Sequence, residues 1–190
     1  MSAVSSILEV PEVRRRVASI SVEAYHVFLE LGAAAQRTEL LRGSIVEKMT
    51  KSPLHASLVR RLYAIVSSKL RPGLMLQKED PLTFADSEPE PDLAVVAGKP
   101  EDFTSRHPGS ALLVIEVAVR TEEIDREKAA IYAEADVTEL WLVLPERGAI
   151  EVLTQPVDGK YTRKEVWRRG ETALSRTMTG VQVSVSELLG

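Results

Sequence analysis

The sequence predicts an α/β fold, in the broad sense that includes α+β, with a mixed β-sheet flanked by helices. Two apolar stretches carry this prediction, ALLVIEV at residues 111–117 and ELWLVL at residues 139–144. Unbroken apolar runs of this kind are typical of central strands that are covered on both faces. The segment between them, residues 121–135, has the spacing of a helix, and a strand–helix–strand order implies a right-handed crossover with parallel strands.

Length and composition indicate one globular domain. The chain has 190 residues, of which 44% are hydrophobic and 27% are charged, and it contains no cysteine. We predict an N-terminal arm at residues 1–19 and a single domain at residues 20–190. Disulfides and thiolate metal sites are excluded. Since no apolar run approaches the ~20 residues of a membrane helix and no signal-peptide pattern is present, we expect a cytoplasmic protein.

Two elements are predicted near the N-terminus. Residues 21–32 form a helix, with Ser21 as its N-cap and Gly32 at its end. Residues 38–49 hold two short apolar runs around Arg42-Gly43, which is the pattern of a β-hairpin.

A longer helix is predicted from Pro53 to about Leu70. Ser52 is a suitable N-cap, and proline is favoured at the first helical position. His55 lies three residues before Leu58, which belongs to the apolar stripe of this helix. We therefore expect His55 on the inward face.

Shorter runs predict the rest of the sheet. The last two strands are expected to be antiparallel and close to an edge, and the C-terminal SVSELLG is expected to form a short closing turn or helix. The predicted strands lie near residues 74–77, 91–97, 149–154 and 161–167.

Two carboxylates lie where a charge is costly. Asp92 opens the strand PDLAVVA, and Glu116 lies inside the most hydrophobic strand of the chain. A carboxylate in such a place must be paired, protonated or bound to a metal. Strand alternation puts Glu116 on the face of Val114 and Asp92 on the face of Ala94. Two adjacent strands would then bring both carboxylates together at one end of the sheet.

Lys128 is a third charged residue in an apolar setting. The helix at residues 121–135 has an apolar stripe that includes Ile124 and Ile131, and Lys128 lies four residues after the first and three before the second. We therefore expect Lys128 to face inwards and to reach the two carboxylates.

Two acids and a lysine suit metal-assisted hydrolysis of a phosphodiester bond. The acids would hold Mg²⁺ through oxygen, and the metal would polarise the phosphate and activate a water molecule. The lysine would orient that water or stabilise charge on the phosphate. The alternative is structural, with Lys128 forming only a buried salt bridge to Glu116 or extending its stem to the surface.

Six segments in order resemble a known family. From about Ile20 to Leu153, the chain is similar to the Uma-type family of putative restriction endonucleases, within the PD-(D/E)XK nuclease superfamily. The resemblance implies a restriction-endonuclease-like core with an N-terminal helix and hairpin, and DNA cleavage that depends on Mg²⁺, with Mn²⁺ as an alternative ion. The segments are ISVEAYHVF, TELLRGSIVEKM, SPLHASLVRRL, EPDLAVV, LLVIEVAVRT and DREKAAIYAEADVTELWLVLP.

The resemblance also implies roles for residues. Asp92 and Glu116 match the two acids of the family and are the implied metal ligands. The lysine that usually follows the second acid by two residues is replaced by Ala118, and Lys128 matches the lysine that this family carries on the next helix. His55 matches a histidine at the start of the core helix, where it would contact phosphate or a site carboxylate.

The hairpin and one strand end depart from the family. Glu39 matches an early glutamate and is a candidate outer metal ligand. The usual Asp-Gly-Glu turn is Arg42-Gly43-Ser44 here, and Glu47 is a candidate replacement for the missing acid. Leu144 stands before a proline where the family often has aspartate.

Two functional hypotheses follow. The first is a Mg²⁺-dependent DNA endonuclease that acts as a homodimer, since symmetric oligomers are common and nucleases of this type often pair. The second is a catalytically inactive nucleic-acid-binding or assembly module on a nuclease-like fold. The formal net charge of -4 is mild support for the second, because proteins that coat nucleic acid by charge alone are usually basic. Metal affinity at Asp92 distinguishes the two.

Overall fold

The computed structural model describes residues 7–32 and 38–190 of the chain. Within these residues the helices are α1 (Pro11–Arg14), α2 (Val22–Glu30), α3 (Pro53–Ser67), α4 (Glu122–Glu134) and α5 (Val185–Leu189). The strands are β1 (Thr38–Leu41), β2 (Ser44–Glu47), β3 (Leu74–Gln77), β4 (Leu93–Ala97), β5 (Leu113–Val117), β6 (Glu139–Leu144), β7 (Ala149–Val157), β8 (Lys160–Arg168), β9 (Thr172–Leu174) and β10 (Gln182–Ser184).

A six-stranded mixed sheet forms the centre of the fold, in the order β3-β4-β5-β6-β7-β8. Strands β5 and β6 are parallel, and the other neighbouring strands are antiparallel. Helix α4 connects the parallel pair, as a crossover between parallel strands requires. The predicted mixed sheet and the parallel strand–helix–strand unit are both confirmed. The predicted hairpin is the antiparallel pair β1 and β2.

Helices cover both faces of this sheet because its central strands are apolar on both sides. Every residue of β5 is buried. On one face, Ile115 belongs to the same core cluster as Leu58 and Leu62 of α3. On the other face, Val114 belongs to a second cluster that contains Tyr132 of α4. The candidate site lies at one end of the sheet, between α3 on one face and α4 on the other.

Several boundaries differ from the predictions. Helix α3 ends at Ser67, three residues before the predicted end at about Leu70, and Ser68 is its C-cap. Strand β4 begins at Leu93, so Asp92 lies just before the strand rather than inside it. The pair β9 and β10, with three residues in each strand, was not predicted, because runs this short give no periodic signal.

The N-terminal arm is only partly described. Residues 1–6 lie outside the described residues, and α1 contributes no buried residue. The boundary between arm and domain at residue 20 stays a prediction. Among the residues that the structure describes, no helix is both long and apolar enough to cross a bilayer.

Candidate active site

Asp92 and Glu116 lie side by side at one end of the sheet. Strands β4 and β5 are antiparallel with Leu93 opposite Ile115, which places Asp92 opposite Glu116. The backbone N–H of Asp92 donates to Glu116 Oε2 at 3.3 Å, and the backbone N–H of Val117 donates to Asp92 Oδ2 at 2.8 Å. The register of two strands thus fixes both carboxylates, as the alternation pattern predicted.

The first turn of α3 brings His55 to Asp92. Ser52 caps this helix by accepting a hydrogen bond from the backbone N–H of His55. His55 Nε2 lies 3.0 Å from Asp92 Oδ2, and the imidazole has the N–H on this nitrogen because a carboxylate only accepts. His55 Nδ1 is buried and has no hydrogen-bond partner among the described residues. The predicted inward position of His55 is therefore confirmed.

The pKa of Asp92 is lowered from its ordinary value. Burial acts in the opposite direction, but it is outweighed by the hydrogen bond and charge of His55, by the N–H of Val117, and by the charge of Lys51. Lys51 Nζ lies 3.7 Å from Asp92 Oδ1. Asp92 is therefore an ionised carboxylate that lines the cleft, with Oδ2 fixed by two donors and Oδ1 close to Lys51.

Lys128 lies between two acids from distant parts of the chain. Its Nζ is 2.7 Å from Glu116 Oε1 and 3.2 Å from Glu39 Oε2. Burial disfavours the charge of Lys128, but the attraction of Glu116, Glu39 and Asp125 outweighs it and raises the pKa of Lys128. The predicted inward lysine is confirmed, and it remains an ammonium ion at physiological pH.

Glu116 has an environment that favours its neutral form. Its Oε1 accepts a hydrogen bond of 2.6 Å from the Tyr132 hydroxyl in addition to the contact with Lys128. Burial raises the pKa of Glu116 to about 8, against the lowering effect of Lys128 and with repulsion from Asp125, Asp92 and Glu39. The carboxyl group is poised to exchange a proton close to neutral pH.

Asp125 belongs to the site and was missed by the sequence analysis. It is buried on α4, and the Thr121 hydroxyl donates to its Oδ2 at 2.5 Å. Burial raises its pKa, and the attraction of Lys128 opposes this. The prediction that Ile124 faces inwards was wrong, because Ile124 is 37% exposed. The inward face passes through Asp125, Lys128 and Tyr132, at spacings of three and four residues.

These side chains open onto a cleft with a volume of about 150 Å³. One wall is the β1–β2 hairpin with the segment that leads to α3, and the other is the segment between β5 and α4. Glu47 lies exposed on the hairpin wall, and the structure does not bring it into contact with Asp92 or Glu116. Lys48 spans the hairpin wall to Glu90 through a short ion pair.

The donor set suits a hard divalent cation. Glu39, Glu116 and Asp125 are buried acids that act on the buried ammonium group of Lys128, and the buried carboxylate of Asp92 lies next to Glu116. When these four acids are ionised, their negative charge exceeds the positive charge of Lys128. Across residues 7–32 and 38–190, no three acidic or histidine side chains are already arranged around one metal position. Mg²⁺ usually needs only one or two carboxylates and completes its shell with water, so the residues present fit it.

Comparisons with known proteins show the fold and the family of this chain. One solved structure, described as a putative nuclease belonging to DUF820 from Anabaena variabilis, shares 16% sequence identity and a TM-score of 0.74, covering 87% of this chain and 96% of that chain. At this identity the similarity shows a common fold. None of the curated proteins matches the chain. The family model Uma2, described as "Putative restriction endonuclease", matches residues 22–186. The chain therefore belongs to the Uma2 family.

Proposed function

We propose that this protein is a Mg²⁺-dependent endonuclease that hydrolyses phosphodiester bonds in DNA, with Mn²⁺ as an alternative ion. The observation that carries the proposal is that four buried acids, Asp92, Glu116, Glu39 and Asp125, lie together with one buried lysine along an open cleft. A structural salt bridge needs one acid per lysine. Three further buried acids cost free energy unless a cation compensates them.

Asp92 and Glu116 would hold the metal ion. Asp92 would offer Oδ1, because His55 and the backbone N–H of Val117 already hold Oδ2. Because these two donors orient the carboxylate before any ligand arrives, little reorganisation accompanies binding. When bound, the metal would polarise the phosphate and lower the pKa of a water molecule.

Lys128 would act as a fixed cation. Its raised pKa excludes a role as the base that accepts a proton from water. Held between Glu116 and Glu39, the ammonium group can donate a hydrogen bond to the attacking water or to a phosphate oxygen. Glu39 and Tyr132 would keep Lys128 and Glu116 in place, and His55 would do the same for Asp92.

A second candidate function is a catalytically inactive nucleic-acid-binding or assembly module. One observation favours it, namely that both oxygens of Glu116 already have donors within the protein. In such an inactive module, the hydrogen bonds of Glu116 would be complete without a metal ion. The four neighbouring acids argue against it, since a module that binds no metal has no need of Asp125 in the same buried site.

A cleavage assay with matched variants tests the proposal. Plasmid and single-stranded DNA are incubated with Mg²⁺, Mn²⁺ or EDTA and with wild type, Asp92→Asn or Glu116→Gln. Glu187→Gln serves as the control, because Glu187 is an exposed acid on α5 outside the cleft. We expect cutting that needs metal, falls at least about 100-fold in the two site variants and is unchanged in the control.

Metal binding separates the two candidate functions. Calorimetric titration with Mg²⁺ should show a site in wild type that is lost in Asp92→Asn. A folded protein that neither cuts DNA nor binds Mg²⁺ or Mn²⁺ would favour the inactive module. Assembly as a homodimer and a cytoplasmic location are further parts of the proposal, and the first is checked by light scattering on the purified protein.

A further inference from the structure

Arg120 stands at the rim of the same cleft. It is an exposed residue in the segment that leads from β5, which carries Glu116, into α4. Arg120 lines the cleft together with Asp92, Glu116 and Lys128, and it also lines a neighbouring pocket next to the start of α4. An arginine therefore lies next to the end of the sheet where the proposed chemistry would occur.

The other cations of the cleft are already paired with acids. Lys128 and Lys48 bind the acids described above, and Lys51 lies 3.0 Å from Glu79 and 3.7 Å from Asp92. By contrast, Arg120 makes no ion pair or hydrogen bond with any residue in the described ranges. Among the described residues, Arg120 is thus the lining cation that forms no ion pair with a carboxylate.

An acidic cleft repels a polyanionic substrate unless a cation offsets the repulsion. Arginine keeps its charge at all physiological pH values, and its planar fork matches two oxygens of a phosphate group. We propose that Arg120 is a substrate-binding residue that holds a backbone phosphate of the nucleic acid. This phosphate would be the neighbour of the one that is hydrolysed at Asp92 and Glu116. This inference rests on the proposed function, and it gives a role to a residue for which the sequence analysis predicted none.

The test measures binding and cleavage separately. Binding of a labelled oligonucleotide is followed by fluorescence anisotropy over a range of KCl concentrations, in a Glu116→Gln background that does not cut. Arg120→Ala and Arg120→Lys are added to this background. Arg106→Ala is the control, because Arg106 is an exposed loop arginine without an ion pair among the described residues and does not line the cleft. The same substitutions in the wild-type background give KM and kcat.

We expect Arg120→Ala to weaken binding on the order of tenfold and to lower the slope of log Kd against log salt by about one phosphate contact, roughly 0.7 to 0.9. The affinity of Arg120→Lys should lie between those of the background and Arg120→Ala, because lysine keeps the positive charge but loses the planar guanidinium group. In the cleavage assay, Arg120→Ala should raise KM by a larger factor than it lowers kcat. Arg106→Ala should change neither KM nor kcat.

The outcomes distinguish this inference from the proposed function. If Arg120→Ala binds with the Kd and salt slope of its background, the inference is wrong and the nuclease proposal stands. If the variant shows the expected loss of binding but wild type cuts no DNA, the inference stands and the nuclease proposal fails. If Glu116→Gln binds no nucleic acid at any salt concentration and wild type cuts no DNA, both are wrong.

Discussion

Replacing Glu116 by glutamine is expected to change how stability depends on pH. The substitution keeps the shape of the side chain and removes a carboxyl group whose pKa is raised to about 8 by burial and by three neighbouring acids. In the folded protein this group holds its proton between pH 4.5 and about 8, while the unfolded chain has released it. The folded state then binds more protons than the unfolded state, so stability falls as the pH rises through this window.

The magnitude follows from the two proton affinities. A tenfold change in proton affinity corresponds to about 1.4 kcal/mol. The rise of the pKa from 4.5 to about 8 therefore corresponds to a loss on the order of 5 kcal/mol in metal-free wild type between pH 4.5 and pH 8.5. Glutamine cannot ionise, so Glu116→Gln should lack this loss and should be the more stable protein at pH 8.5. The two proteins should be similar at pH 5.

Urea unfolding in EDTA measures the difference. Trp141 is fully buried in the sheet, so its fluorescence reports unfolding. Wild type, Glu116→Gln and the exposed control Glu187→Gln are compared at pH 5, 7 and 8.5. Saturating Mg²⁺ at pH 8.5 should restore stability to wild type but not to Glu116→Gln, because binding to the folded state alone stabilises it.

The opposite outcome is a wild-type free energy of unfolding that stays level between pH 5 and 8.5, with Glu116→Gln less stable than wild type at pH 8.5. That result would mean that the ion pair between Glu116 and Lys128 outweighs burial and the neighbouring acids. The site would then be a stable salt bridge in need of no cation. The inactive module would become the better candidate function.

Two further predictions concern the contacts of α4. Lys128→Met should lower the free energy of unfolding at pH 8 by about 3 kcal/mol, because it leaves the buried acids without their cation. The loss should be smaller at pH 5, where acids take up protons. An equal loss at both pH values would contradict this prediction. Arg42 makes two hydrogen bonds to Glu134, and both side chains are half-exposed. A double-mutant cycle with Arg42→Ala and Glu134→Ala, measured by urea unfolding, should therefore give a coupling energy below about 1 kcal/mol. A coupling energy above about 2 kcal/mol would be too large for a surface pair.

The sequence predicts the centre of this fold well, because burial of apolar side chains and backbone hydrogen bonding favour the same central strands there. The apolar runs that contain β5 and β6 can be satisfied only by central strands, and the helix between them leaves parallel pairing as the consistent arrangement. Short elements such as β9 and β10 are different. Their pairing depends on neighbours far along the chain, so local patterns do not reveal them.

The site was predictable where a charge interrupts an apolar pattern. Glu116 and Lys128 stand out for this reason, and strand alternation then brings Asp92 to the same place. Asp125 gave a weaker signal, because an acid in the first turn of a helix is ordinarily explained by the helix dipole. Its spacing of three residues from Lys128 was the available clue, and Ile124 was assigned to the inward face instead.

The two departures from the family pattern act on different parts of the molecule. At the hairpin turn, Arg42 in place of an acid ties the hairpin to Glu134 on α4, the same helix that carries Lys128. This contact supports the approach of Glu39, from the adjoining strand, to Lys128. At the end of β6, Leu144 in place of an acid packs into the second core cluster. Neither change removes a group that contacts the central carboxylates, so the departures alter how the site is held and leave the groups proposed to bind metal intact.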